Sequence, residues 1–545
     1  MDTPVLSACL RVFNIPELAQ PICAYAPKED IARLLRVSRL LFFNLFPYVW
    51  RNVDNVVALA ALIPGAGLTT YVVDPLPPLT VMRFPGSFNL SRFNIYAPYI
   101  RELEINSTLH IDEYDNWDGF LAFTRSRNLL PNLERIRMVP SPSSPFEAIA
   151  PIGGDTIKWA TAFLSTSLRA LWIAPDPRLY EVEIASTHFT WTTLDDARSL
   201  LQLAFWKCPM LDTLAILPGD LTVQKTRLIS DVRGRFSEYR PPFPLFPPFR
   251  NLRTLITSPS CLEPKSFGVL STMPSLESLS IRGLAHLMPL YGSDLSIPED
   301  AFPSLRHLEF TNLRWQTVFS LCNLEPLVRN LVTLRIHPIL SLLQTPNYPR
   351  LVSLLSILVQ IGSPLTELSV TSFTRTKFYP EVFEQLKHFS LVKLSLRPTE
   401  LNNLPMEALS SALPQLEVLH LLPFGDGLHI RQLRVFTTLF PKLRHLSVPI
   451  CRNTLRELTD EDLVPASGSQ NPFCLESDFV MRQERADIAL KLARYLYLLW
   501  PSIECVDGDY GQYPGFGIPV QLHVGDLVRD IRQQELHESA SIRRC

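Results

Sequence analysis

Pro441-Lys-Leu443-Arg-His-Leu446-Ser-Val448 decides the fold, because its pattern returns at Pro131-Asn-Leu133-Glu-Arg-Ile136-Arg-Met138, Pro274-Ser-Leu276-Glu-Ser-Leu279-Ser-Ile281, Pro303-Ser-Leu305-Arg-His-Leu308-Glu-Phe310 and Pro414-Gln-Leu416-Glu-Val-Leu419-His-Leu421. The last half of each phrase alternates, so its apolar residues face one side of a short strand and the residues between them face the other. Looser copies open at Ile100, Leu168, Leu211, Leu252, Leu331, Leu365, Leu391 and Ile503. First positions recur at about 33–43 residues early in the chain and about 24–34 later, against the roughly 20–29 of a leucine-rich repeat. The last interval, from Leu443 to Ile503, is about 60 residues, twice such a repeat.

Between the phrases, Leu194–Trp206, Leu351–Ile361, Leu401–Leu413 and His429–Phe440 each carry one apolar face at helical spacing. One strand and one helix cannot bury their apolar faces alone, so neighbouring units must stack. The expected fold class is α/β: a leucine-rich-repeat solenoid over residues 99–510, with parallel strands on a concave face and helices on the convex one. A doubly wound sheet is the competing architecture, and it does not demand a Leu phrase before every strand.

The chain has 545 residues, 46% of them hydrophobic and 19% charged, so a large core is available and disorder is excluded as its general state. Lys and Arg number 51 against 53 Asp and Glu, a formal charge of -2 that supplies no field to attract nucleic acid or an anionic membrane. Neither is expected as a partner. Nine Cys are scattered without a C-x-x-C pair, which reads as reduced thiols in a cytoplasmic or nuclear protein. The amino terminus has no basic region ahead of an apolar run, so no secretory signal is expected. The apolar stretch Ile488–Trp500 carries Lys491 and Arg494 and is too short to span a bilayer.

Residues 1–60 lack the phrase. Their apolar set (Ile15, Leu18, Ile22; Ile31, Leu34, Leu35, Val37; Leu41, Phe42, Leu45, Val49, Trp50) is cut by Pro16, Pro21, Pro27 and Pro47 into short helices. Residues 61–98, rich in Pro, read as an irregular linker. Interruptions are expected near 218–249, where Arg240–Phe249 reads as a stiff loop packing its Phe side chains on the array, and over 452–485, which reads as a mobile loop. Residues 511–545 read as a cap followed by a frayed tail.

No phosphate-binding, zinc-protease or nucleophile-elbow motif occurs, so neither catalytic residues nor a cofactor are expected. Alternation places Arg137, Trp172, His307, Arg335, Lys393, His420 and His445 on the exposed face of their strands, a mixed polar row suited to a protein substrate. Trp172, Arg137 and Arg335 are its candidate anchors. Adjacent strands lie about 4.8 Å apart, so His420 and His445 can approach, and with Glu or Cys they could ligate a metal. No third donor has the right spacing, so the pair reads as solvated histidines and no metal is expected.

Ile15-Pro-Glu-Leu18, Ile22, Asp30-Ile31, Leu34-Leu35-Arg-Val37-Ser-Arg39, Leu45 and Tyr48-Val-Trp50-Arg resemble an F-box in residue type and order over about forty residues. Joined to the repeats, the arrangement resembles F-box proteins with C-terminal leucine-rich repeats, the fungal members with long irregular repeats especially. The resemblance implies a non-catalytic substrate adaptor of a Skp/cullin/F-box ubiquitin ligase. Its F-box would bind the Skp-type adaptor of the cullin complex through Ile15, Pro16, Leu18, Ile22, Val37 and Trp50, and its repeats would hold a protein substrate. The alternatives are a leucine-rich-repeat interaction scaffold with no ligase role, and an enzyme or regulator built on such an array, such as a GTPase activator.

Overall fold

The computed structural model of the protein describes residues 12–13, 15–72, 78–106, 111–139, 154–174, 192–219, 244–283, 295–338, 348–376, 380–399, 405–421, 427–463, 472–477, 480–482, 486–507 and 521–542. The chain divides into two compact units, Met1–Leu276 and Glu277–Cys545.

The first unit opens with helices α1 (Pro16–Tyr25), α2 (Lys28–Leu34) and α3 (Arg39–Val49). Pro16 sits in the first helical turn, where a missing N–H costs nothing. Ser38 caps α3, its hydroxyl accepting from the Leu41 N–H at 3.2 Å. Cys23, Ile31, Leu41 and Leu45 form the centre of this module, with Phe13, Ala26, Leu34, Leu35, Tyr48 and Val49 packed around them.

Strand β1 (Asn52–Val53) follows at once and pairs with β2 (Glu102–Asn106), so the sheet already begins inside the segment expected to be only helical. Then come β3 (Arg135–Val139), β4 (Ala170–Trp172), β5 (Thr213–Ala215) and β6 (Thr254–Thr257), each parallel to the one before. Leu103, Ile136, Leu171, Leu214 and Leu255 share one register position and are fully buried.

The irregular linker expected over 61–98 is corrected: Gly67–Tyr71 and Leu79–Arg83 pair antiparallel, and the second of them also pairs with Glu113–Asp115. Thr, Val and Tyr favour the pleated surface, and the prolines punctuate between the strands without interrupting them. In the interruption near 218–249, residues 220–243 lie outside the described residues. Phe246 and Phe249 are buried, as the packing-loop reading expects, and the Leu245 N–H donates to Ser266 Oγ at 2.9 Å.

The second unit contains β7 (Ser278–Arg282), β8 (His307–Leu313), β9 (Thr333–Pro338), β10 (Glu367–Thr376), β11 (Lys393–Thr399), β12 (Val418–Leu421), β13 (His445–Ser447), β14 (Phe473–Ser477) and β15 (Ile503–Asp507). All are parallel and lie side by side in chain order. Helices Trp315–Cys322, Tyr348–Ile361, Pro380–Leu386, Met406–Ala412 and Leu433–Leu439 alternate with them.

Leu279, Leu308, Leu334, Leu368, Leu394, Leu419, Leu446 and Leu475 form one in-register ladder, each at most 2% exposed. A second regularity links the repeats. The Arg306 carbonyl accepts from the N–H groups of Val332 and Thr333, that of Val332 from Thr366 and Glu367, and that of Thr366 from Val392 and Lys393. Strand order follows chain order within each unit with no reversal, which a doubly wound sheet requires. The architecture is α/β, with a large parallel sheet built one strand per repeat, and is compatible with a solenoid.

Of the mobile loop expected over 452–485, residues 464–471, 478–479 and 483–485 lie outside the described residues, and β14 is a strand within it. Phe473-Cys-Leu475-Glu-Ser477 alternates buried and half-buried without the opening Pro-x-Leu, so only the alternation marks it. The long interval from Leu443 to Ile503 therefore holds two repeats. At the carboxyl-terminal end, the frayed tail is replaced by a helix, Val524–Ile542, that buries Val524 and Val528. Arg532 from this helix donates to the carbonyls of Pro501 and Ile503, at 3.1 and 2.6 Å, beside the last strand. Among the described residues no helix is long and apolar enough to cross a membrane.

Truncating the ladder should be costly. Leu334→Ala is expected to lower the unfolding free energy by about 2–5 kcal/mol in urea titrations. Trp206→Ala, at an exposed position, is expected to change it by no more than about 0.5 kcal/mol.

Candidate functional site

Because the ladder leucines point into the core, the residues flanking them form two polar rows on the other side of the strands. In the second unit one row runs through His307, Thr333, Glu367, Lys393, Val418, His445 and Cys474, and the other through Glu309, Arg335, Ser369, Ser395, His420, Ser447 and Glu476. His307, Arg335, Lys393, His420 and His445 thus all lie on this face, as alternation predicts. His307 is exposed and Lys393 half-buried.

The candidate anchors stand differently from a bare cationic row. Arg137 pairs with Glu104 on the adjacent strand, and Arg135 with Glu102 at 2.8 Å. Arg335 reaches Glu367 at 4.0 Å. Cross-strand carboxylates thus offset these guanidinium charges and hold the side chains in place. Trp172, in the first unit, is half-buried on β4.

The densest cluster of polar chemistry lies at β12, β13 and β14. The ring centroids of His420 and His445 are 5.0 Å apart, and His445 Nε2 lies 3.3 Å from a Glu476 carboxylate oxygen. One donor atom from each of His420, His445 and Glu476 falls within 4.8 Å of the others, and all three side chains are half-buried. Glu476 is the third donor that chain spacing did not reveal, since it belongs to the segment read as a loop. The doubled interval and the alternation around Leu475 are the signals that could have found it.

The hydrogen bond from His445 holds the Glu476 carboxyl below its ordinary range, against the opposing effect of burial, with help from the Ser447 hydroxyl. Ser447 lies between His420 and Glu476 in register. Cys474 sits beside His445 in register, its thiol pushed up by burial and by Glu504 and Glu476.

A separate surface lies on the helical module. Ile15, Leu18 and Ile22 are 44%, 44% and 40% exposed, and their spacing places them on one side of the first helix. Val37, between α2 and α3, is 69% exposed. Trp50 differs: its ring lies 4.2 Å from Tyr96 and 6.3 Å from Phe46, so it packs within the first unit. Phe43 and Tyr25 are exposed as well, and no pattern in the sequence singled them out.

Cys23, Cys208, Cys261 and Cys322 are buried, and Cys451 and Cys474 half-buried. Burial pushes the thiols of Cys208 and Cys322 up to about 12 and also raises Cys261. These groups are packing residues and not nucleophiles. No protein-family model matches the chain, and no match is found among curated proteins.

Maleimide labelling followed by peptide mapping should separate the two thiol classes. At neutral pH, Cys208, Cys261 and Cys322 are expected to react only after denaturation, and Cys451 to be modified in the native chain.

Proposed function

We propose that the chain is a substrate-recognition adaptor of a Skp/cullin/F-box ubiquitin ligase, with an F-box at residues 15–50 and leucine-rich repeats as its substrate-binding array. The observation that carries this reading is the outward apolar side of the first helix, Ile15, Leu18 and Ile22, together with Val37. These are four of the six positions that the F-box resemblance assigns to the Skp-type adaptor. Apolar groups left in water on a small helical module are stabilised by a partner that covers them.

In this reading the chain performs no bond chemistry. The helical module fixes it to the ligase, the polar rows of the strands hold a protein substrate, and tethering raises the effective concentration of substrate lysines near the charged conjugating enzyme. Trp50 serves here as a packing residue that joins the module to Tyr96, outside the set of adaptor contacts.

Full-length chain and purified Skp-type adaptor should form a complex measurable by calorimetry. Leu18→Asp combined with Ile22→Asp should weaken it by about 100-fold or more, since each buried aliphatic side chain contributes roughly 1.5–3 kcal/mol. Both side chains are exposed in the free chain, so the double variant should retain the wild-type thermal transition. If the wild type shows no binding at tens of micromolar, the ligase reading falls and the interaction scaffold takes its place.

A further inference from the structure

We propose that His420, His445 and Glu476 form a binding site for a divalent transition-metal ion of the zinc class on the polar face of the second unit. The three residues come from successive parallel strands: His420 and Glu476 flank Ser447 at one register level, and His445 stands two residues before Ser447 on the middle strand, so closely spaced strands present all three on one face. Their donor atoms already lie within 4.8 Å of one another. A tetrahedral ion with bonds of about 2.0–2.1 Å needs donors about 3.4 Å apart. The His445 Nε2 to Glu476 oxygen distance is 3.3 Å, so that edge is in place. The His420 ring closes the other two by a shift of about an ångström, within the reach of its side-chain torsions.

The donor types agree with the geometry. Two imidazoles and one carboxylate are borderline ligands suited to zinc, cobalt, nickel or copper, and the single negative charge partly offsets the dication. An ion bound at His445 Nε2 takes that nitrogen's lone pair, so the metal-bound neutral imidazole carries its hydrogen on Nδ1, and a hydrogen held on Nε2 before binding moves to Nδ1 or is released to solvent. The Ser447 hydroxyl, which hydrogen-bonds Glu476, orients the carboxylate as an outer partner of a metal ligand does. Three protein donors leave one tetrahedral position open, for water in the free chain and for a donor atom of a docked protein in a complex. This site rests on the strand pairing and the donor distances, and does not depend on the ligase reading.

The test uses the full-length chain, stripped with a chelator and titrated with Zn²⁺ against a chromophoric indicator. One equivalent is expected to bind with a dissociation constant of about a micromolar or tighter. His420→Ala and His445→Ala are each expected to weaken it by about 100-fold or more, because loss of an outer partner alone already costs 10–100-fold. Glu476→Gln is expected to weaken it by at least about 10-fold. His429→Ala, at a second histidine–carboxylate pair, is the control and should leave binding unchanged.

Co²⁺ loading of the wild type provides a readout independent of any variant's folding. A four-coordinate visible spectrum with imidazole scattering in X-ray absorption is expected. Absence of binding by the wild type, a spectrum without histidine ligation, or unchanged affinity in a folded His420→Ala variant would each overturn the site.

Discussion

The structure depends on one repeated burial: an aliphatic residue at the same register position of each strand, packed against its counterparts on either side. A slip of one residue at any strand would turn its ladder leucine outward and drive its polar neighbours into the core. The register is therefore strongly specified, and with it the order of the polar rows on the opposite face. The twin hydrogen bonds from most strand entries to the carbonyl of the preceding repeat act in the same sense. They bring each such strand in at a fixed level before its leucine is buried. Position on the polar face is thus a consequence of core packing, and a side chain there is placed by leucines on the opposite side of its strand.

That dependence explains what could be read from the chain and what could not. Wherever Pro-x-Leu-x-x-Leu recurs, the strand and its buried positions were legible, down to Leu252 and Leu365 in loose copies, because the pattern records the same packing demand each time. Two strands of the large sheet escaped. Asn52–Val53 is too short to display a period, and Phe473–Ser477 enters the sheet without the opening leucine. The antiparallel pair Gly67–Tyr71 and Leu79–Arg83 is hidden for a different reason: prolines cluster in the sequence between its strands, and their composition masks the strand residues on either side. The helical module was legible as helices, but which of its apolar residues face outward was not, since both sides of the first helix carry them.

The site at His420 and His445 shows the cost of missing one strand. Two histidines on neighbouring strands are ordinary on a polar surface, and their meaning changes only when a third donor is delivered to the same spot. Glu476 is some thirty residues beyond His445, one repeat further along, and no linear spacing rule for metal ligands spans such a distance. In a parallel stack the relevant spacing is the repeat itself: residues one repeat apart at the same register level are neighbours as surely as residues four apart on a helix. Sites on such a face are written across repeats, one donor from each, and become visible only when every strand has been counted.

The arginines of the polar rows in each unit behave in the opposite way. Arg135, Arg137 and Arg335 each find a carboxylate on the adjacent strand, and an exposed pair of that kind contributes little to stability while it restrains both side chains. A partner that engages one of these guanidinium groups must compete with its glutamate, which favours a partner able to supply a carboxylate in matching geometry over one that offers apolar area alone. The first helix presents the complementary case. Its inner side is committed to Cys23 and the module core, and its outer side carries Ile15, Leu18 and Ile22. Trp50 shows where spare apolar area goes when a neighbour is within reach, since Tyr96 takes up its ring. Ile15, Leu18 and Ile22 instead stay 40–44% exposed among the described residues.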